Sequence, residues 1–314
     1  MDKYLFCYFT GNAPKEESVH LAVSDDGYIF KALNKNKPII KQTLGRKCCR
    51  DPYIFRDQNN VFHIIATDMR CYDGWANNNS MVVWDSDDLI TWKNERIIDF
   101  SMFEATKTAN RVWAPEVIYD KIRGEYMIYW THNNADDDLD SITWYAYTND
   151  FSTLTTEPKV LFKPKSGLCG IDADIIEHDG KYYLYQADGE KEGICYAVAE
   201  SVSGPYYEPD DNKVSLADTA IEGNCIYKII GTDKYVMIAD QFHAGGYFMQ
   251  ETTDMINFTK VDKNRFSIDH LKARHGSVMH ITEEEYNRLS KHFLPMPIAK
   301  RIETFINKLL SKKK

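Results

Sequence analysis

No stretch of the 314-residue sequence stays apolar for the roughly 20 residues that a membrane-spanning helix needs. Basic residues are scarce: Lys and Arg number 38 against 47 Asp and Glu, the formal charge is −9, and the only basic run is SKKK near the C-terminus. That balance excludes a nucleic-acid-binding face. The seven cysteines fall in no metal-ligand spacing, and Cys48 and Cys49 are adjacent. Reduced thiols and a reducing compartment are expected. The opening MDKYLFCYFTGN has no basic segment, long apolar stretch or small-residue cleavage site, so a cytoplasmic location is expected unless a leader was trimmed. Neither a phosphate-binding glycine loop nor a serine elbow occurs, which sets aside P-loop and serine-hydrolase chemistry.

Aromatic residues, by contrast, make up 13% of the chain, with 20 tyrosines. Such rings favour strands and suit stacking in a sugar-binding cleft. They fall into a repeat. SDDGYIF at Ser24, SDDLITW at Ser86, TNDFSTL at Thr148 and TTDMINF at Thr252 share Ser/Thr, any residue, Asp, three residues and a large apolar side chain, with SVSGPYY at Ser201 as a weaker copy. Each reads as a turn between two strands, closed by Ser/Thr and Asp side chains bonding back to the backbone. Between the turns lie paired apolar runs, beginning at Asp51, Ala114, Asp172 and Gly223. Each unit therefore holds four strands, and units of this period describe a β-propeller.

The two ends complete each other. KYLFCYFT matches the second strand of a unit whose first strand is missing, and RHGSVMHIT, from Arg274, matches a first strand with no unit after it. Pairing them closes a ring and removes the sheet edges. The fold expected is all-β: a five-bladed propeller with four-stranded blades over residues 1–282, closed by the C-terminal strand. Residues 283–314 are expected to form a helical tail packed on the propeller, with Thr282 and Glu285 as a capping box and Ile298, Ile302, Phe305, Ile306 and Leu309 at helical spacing.

Aligning the units sets Asp51, Ala114, Asp172, Glu222 and His275 level at the starts of the innermost strands, with Glu116 and Asp174 two positions further on. Innermost strands converge on one channel, so their starts share one mouth. Several carboxylates around one cavity suit cleavage of a glycosidic bond: one acid protonates the leaving oxygen, one carboxylate activates water, and a third raises the pKa of the acid. The loops trailing the second strands face the same mouth, which offers Trp75, Trp113, His132, Gln241 and His243 as sugar contacts. Arg274 and His275 join them as substrate-binding candidates, and so does Glu116, as a hydrogen-bonding residue lining the channel rather than a catalytic acid. Cys48 and Cys49 are expected to be structural.

The motifs RDPYIF, VWAPEVIYD, GIDADIIEHDGKYYLY, IEGNCIYK and RHGSV together resemble glycoside hydrolase family 43 from about residue 4 to residue 290. The resemblance implies an inverting five-bladed propeller enzyme acting on arabinose, xylose or galactose linkages. It implies Asp51 as general base, Asp172 as the residue that tunes and orients the acid, and Glu222 as general acid. Ala173 and Gly223 stand where proline is common in the family. His275 matches a histidine that in some members lies beside a bound calcium, so a structural calcium in the channel is an expectation, and no cofactor is required. The function expected is an exo-acting α-L-arabinofuranosidase working on oligosaccharides. The alternatives are a β-xylosidase, a galactose- or galactofuranose-directed enzyme, and a non-catalytic carbohydrate-binding propeller. The invertase-like propellers are disfavoured because YFTGNAPKEE in the first blade holds no Asn-Asp-Pro nucleophile motif.

Overall fold

The computed structural model describes residues 2–136, 141–167, 169–189 and 193–294. Its strands form five antiparallel sheets. The first holds β1 (Lys3–Tyr8), β2 (His20–Ser24) and β3 (Phe30–Ala32). The second holds β4 (Cys49–Arg56), β5 (Phe62–Asp68), β6 (Ser80–Ser86) and β7 (Lys93–Asp99). The third holds β8 (Ala109–Asp120), β9 (Glu125–Asn134), β10 (Ile142–Thr148) and β11 (Lys159–Phe162). The fourth holds β12 (Gly170–His178), β13 (Lys181–Asp188) and β14 (Gly193–Ala199), and the fifth β15 (Glu222–Lys228), β16 (Tyr235–Asp240), β17 (Tyr247–Thr252) and β18 (Thr259–Lys260). The last strand, β19 (Gly276–Ile281), joins the first sheet beside β1, in register from Lys3↔Ile281 to Tyr8↔Gly276. The five inner strands β19, β4, β8, β12 and β15 each touch both neighbours, so the sheets close into a five-bladed propeller.

The strands read as apolar runs because blades are buried on both faces: in β1 (KYLFCY) every residue after Lys3 is buried. Five apolar clusters fill the five spaces between neighbouring blades. Phe6 and Tyr8, for example, pack against Ile238 and Met249 between the first and fifth blades. The repeated turns form as the sequence implies. Ser24 Oγ accepts the N–H of Gly27 at 2.9 Å, and Ser86, Thr148 and Thr252 serve the same turn in other blades. The fourth residue is left-handed each time, and it is glycine only at Gly27 and in the weaker copy at Gly204; Leu89, Phe151 and Met255 adopt φ of 65, 53 and 66°. All three side chains are buried in the interblade clusters, and that burial offsets the backbone cost.

The fourth blade departs from expectation. It has three regular strands, and its outer edge is drawn by two bridges, Val198↔Tyr207 and Cys195↔Lys213, on either side of the segment containing Pro209. Proline cannot donate to a ladder, so a continuous strand does not form there. The helix α1 (Glu283–Phe293) carries the capping box: Thr282 accepts from the Glu285 N–H and Glu285 reaches back. Arg56 grips Glu285 through two nitrogens at 2.9 and 2.7 Å, and Leu289 packs between the first and second blades. The rest of the proposed tail, including Ile298, Ile302, Phe305, Ile306 and Leu309, lies outside the described residues. Among the described residues no helix is long and apolar enough to cross a membrane.

Ring closure makes a specific demand at Gly276. A Cβ there would lie 2.1 Å from the Cys7 carbonyl oxygen and 2.7 Å from the Tyr8 Cα, both backbone atoms. Gly276→Val is expected to lower the urea midpoint, with a stability loss of about 2 kcal/mol or more. An unchanged midpoint would contradict the closure geometry.

Candidate active site

The inner strands are not smooth. Pairing steps from Arg50↔Thr67 to Tyr53↔Ile65, from Trp113↔Thr131 to Glu116↔Tyr129, from Ile171↔Ala187 to Asp174↔Tyr185, and from Glu222↔Asp240 to Cys225↔Ile238. Each step leaves one extra residue on the inner strand, a β-bulge that re-aims the side chains around it. Inside each bulge one residue is left-handed: Asp51, Ala114, Asp172 and Gly223, with φ of 49, 46, 57 and 59°. Neighbouring blades hold the bulges in place. Thr67 Oγ1 accepts the Ala114 N–H at 2.8 Å, Thr131 Oγ1 accepts the Asp172 N–H at 3.0 Å, and Asp172 Oδ2 accepts the Gly223 N–H at 2.9 Å.

The bulges correct the sequence alignment by one residue. Spacing alone sets Glu222 level with Asp51 and Asp172, but Gly223 occupies that place. It does so because the position is left-handed and a Cβ there would meet the His275 Cβ at 2.8 Å. Glu222 stands instead with Arg50, Trp113, Ile171 and, on the fifth strand, Arg274, in an outer tier at the mouth. Asp51, Asp172 and His275 form the tier below. Both tiers line one cavity of about 420 Å³, walled further by Phe9, Trp75, Phe242 and His243.

A third tier lies under the cavity floor: Tyr53, Glu116, Asp174, Cys225 and Ser277. It staples blade to blade. Asp174 Oδ2 accepts the Ile226 N–H at 2.6 Å, Cys225 Sγ the Val278 N–H at 3.3 Å, and Ser277 Oγ the Ile54 N–H at 2.8 Å. Glu116 accepts from the Tyr129 hydroxyl at 2.6 Å, and that hydroxyl accepts the Ile175 N–H at 3.0 Å. Burial pushes Asp174 up to about 7, and burial with the Asp174 charge pushes Glu116 up as well. Glu116 thus bonds within the channel but does not face the cavity where a sugar would lie.

The carboxylates around the cavity sit in opposed environments. Burial favours protonation of Asp51, but the His275 imidazolium, Arg50 and a 2.8 Å hydrogen bond from Thr67 outweigh it, so its carboxyl stays below the usual range. Burial pushes Glu222 up to about 8, helped by the Asp172 and Asp240 charges and opposed by Arg274 and His275. Burial and the Asp51 charge raise Asp172 too. Burial alone would lower His275, yet Asp172, Asp51 and Glu222 carry it up to about 9. Its Nδ1 lies 3.6 Å from Asp51 Oδ1 and 3.8 Å from Asp172 Oδ2, ion-pair contacts longer than hydrogen bonds. Among the described residues no group of three or more His, Cys, Asp or Glu side chains is arranged to hold a metal ion. The residues around His275 do not fit the expected calcium.

Trp113 and Trp75 meet edge to face at 6.4 Å on one wall, and the Trp113 Nε1 has no hydrogen-bond partner among the described residues. Trp113 lies within β8, which begins earlier than the sequence implies. His243 packs on Phe242 at the opposite rim. Arg274 reaches the cavity, but Glu222 Oε1 at 3.2 Å and the Asp240 carboxylate engage its guanidinium. Gln241 is not on the cavity wall: its amide donates to Thr219 Oγ1 at 3.0 Å and its backbone closes the 241–246 loop. His132 is buried between Trp130 and Asn134 and lies away from the site. Cys48 and Cys49 are buried, unbridged thiols. Sequence reasoning passes over Arg50, although an arginine directly before Asp51 in an otherwise buried strand is a visible signal.

Comparison with known proteins gives the family and the fold. Residues 1–287 match the family described as "Probable glycosyl hydrolase domain", which is related to glycosyl hydrolase family 43. An α-L-arabinofuranosidase of Bifidobacterium longum subsp. longum is 23% identical over 51% of this chain, and the match spans 17% of that enzyme's length. The fold is that of a thermostable family-43 glycoside hydrolase (TM-score 0.60, 14% identity, 84% of this chain and 90% of that one). It is equally that of an α-L-arabinofuranosidase of Clostridium thermocellum (TM-score 0.60, 12% identity, 82% and 89%). A xylan β-1,4-xylosidase of Bacillus halodurans shares it as well (TM-score 0.59, 13% identity, 87% and 54%). Matched along nearly its whole length, the chain belongs to the family-43-related glycosyl hydrolases, a glycosidase family.

Proposed function

We propose that the chain is an inverting, exo-acting glycosidase that releases terminal α-L-arabinofuranose from oligosaccharides. Glu222 is the general acid, Asp51 the general base, and Asp172 the carboxylate that keeps the acid protonated. The observation that carries this reading is that one cavity sets two carboxyl groups in opposed surroundings: burial and the Asp172 and Asp240 charges push Glu222 up to about 8, while His275, Arg50 and the Thr67 hydroxyl hold Asp51 below its ordinary value. Glycosidic cleavage needs such a pair. Glu222 gives its proton to the leaving oxygen as the C–O bond breaks. Asp51 takes a proton from the water that attacks the opposite face of the sugar. The products are an alcohol and a sugar of inverted anomeric configuration, and proton exchange with solvent restores both groups. The cavity volume, about 420 Å³, lies near the small end of ligand pockets, which run from roughly 300 to 1,000 Å³, and this supports an exo mode of action. The arabinofuranosidase relative supports the choice of sugar.

A panel of nitrophenyl glycosides tests the assignment. Hydrolysis of the α-L-arabinofuranoside is expected. Turnover of only the xyloside or galactoside would move the sugar assignment, and binding without turnover of any glycoside would favour a carbohydrate-binding propeller. Proton NMR should find the first-formed sugar with inverted configuration; retention would contradict the mechanism.

Two variants separate acid from base. Glu222→Gln should lose about 10²–10⁴-fold on oligosaccharides and far less on a dinitrophenyl glycoside, whose leaving group departs without protonation. Asp51→Asn should lose activity on both. Equal losses for Glu222→Gln on the two substrates would remove it as the acid.

The pH profile follows from the same charges. Activity needs Glu222 protonated, so it is present below about 8 and disappears as the pH rises through that value. It needs Asp51 ionised, so the acid limb lies below the ordinary carboxylate range. Asp172→Asn deletes a charge that raises Glu222, so the basic limb of kcat/KM should move to lower pH. A limb that stays in place or moves upward would contradict the role given to Asp172.

A further inference from the structure

Arg50 is 6% exposed and sits in the mouth tier next to Asp51, where burying a guanidinium is costly unless its charge and donors are met. They are met on one side only. Nη1 donates to Asn12 Oδ1 at 2.8 Å and to Glu17 Oε1 at 3.3 Å, and Glu17 is itself 1% exposed. The guanidinium packs on the rings of Phe9 at 4.5 Å and Trp75 at 5.0 Å. Nε and Nη2 make no hydrogen bond among the described residues, and Arg50 lines the cavity. Arg274 differs: Glu222 and Asp240 already occupy its fork.

Resting on the glycosidase reading, we infer that Arg50 determines specificity: its free N–H edge donates to two adjacent hydroxyls of the terminal sugar, and Glu17 is the positioning residue that holds it there. A guanidinium presents two parallel donors at a spacing that suits two neighbouring oxygens. Neutral hydroxyls fit better than a carboxylate, because Asp51 and Asp172 already place negative charge in the cavity. Glu17 also accepts the Cys71 N–H at 2.8 Å, which ties the start of the loop carrying Trp75 to the same carboxylate. Its Oε2 has no hydrogen-bond partner among the described residues, so Oε1 takes both contacts.

The test reads binding without turnover. In a Glu222→Gln background, calorimetry compares methyl α-L-arabinofuranoside, whose alkoxide leaving group does not depart without the acid, with its 2-deoxy and 3-deoxy analogues. The intact ligand is expected to bind about thirtyfold tighter than at least one analogue, as befits a hydrogen bond to a charged donor. Adding Arg50→Lys, which keeps the charge but loses the fork, should shrink that ratio to under about threefold. Adding Glu17→Gln should weaken the intact ligand more than the analogue. A merely structural role would weaken all three ligands equally, and discrimination retained in Arg50→Lys would overturn the inference. Failure of the background protein to bind any arabinofuranoside, xyloside or galactoside would overturn the glycosidase reading, and this inference with it.

Discussion

Asp51, Ala114 and Asp172 are held in left-handed backbone conformations that cost a non-glycine residue of order 1–3 kcal/mol. The ring has to offset that cost, and it does so with hydrogen bonds from one blade to the next. Thr67 and Thr131 accept N–H groups from the following bulge, and Asp172 accepts the one at Gly223. Without the bulge, strict alternation would turn every second side chain of an inner strand away from the channel. With it, two consecutive positions, Arg50 and Asp51 or Ile171 and Asp172, both reach the cavity. The site is thus a product of ring closure: the strain that aims the carboxylates is tolerable only because all five blades are present.

The electrostatics follow from how that ring is filled. Of five equivalent second-tier places, two carry Asp and one carries His, while Ala114 and Gly223 leave room. One imidazolium shared between two aspartates keeps Asp51 ionised, and it leaves Asp172 with enough charge to raise Glu222 one step further out. Arg274 tempers the effect by pairing with Glu222 and Asp240. The third tier does the opposite job. Its carboxyls are buried, pushed up and spent on a backbone N–H at Asp174 and on the Tyr129 hydroxyl at Glu116, so they brace the channel and contribute nothing to the cavity.

Much of this is legible in the order of residues along the chain. The Ser/Thr-x-Asp turns reveal the period, because their side chains bond to local backbone and need no distant partner. The orphan strand at each end reveals the closure, since an unpaired edge is costly. The convergence of Asp51, Asp172, Glu222 and His275 follows from those two. What escapes is whatever depends on backbone angle. An alignment by residue type treats Glu222 as the partner of Asp51, and only the left-handed φ marks Gly223 as the true equivalent. Gln241 and Glu116 lie on the segments expected but with other neighbours, because a side chain's direction within a loop or bulge leaves no periodic trace. The broken outer edge of the fourth blade turns on a proline whose effect is local.

The central claim is that Glu222 is protonated and Asp51 ionised in the same cavity at neutral pH. Carbon-13 NMR of labelled side-chain carboxyls, with Glu222→Gln and Asp51→Asn used to assign the signals, measures it directly. Glu222 should titrate near 8 and Asp51 below the ordinary aspartate value. A Glu222 carboxyl that titrates in the usual range, near 4.3 or so, would contradict the account.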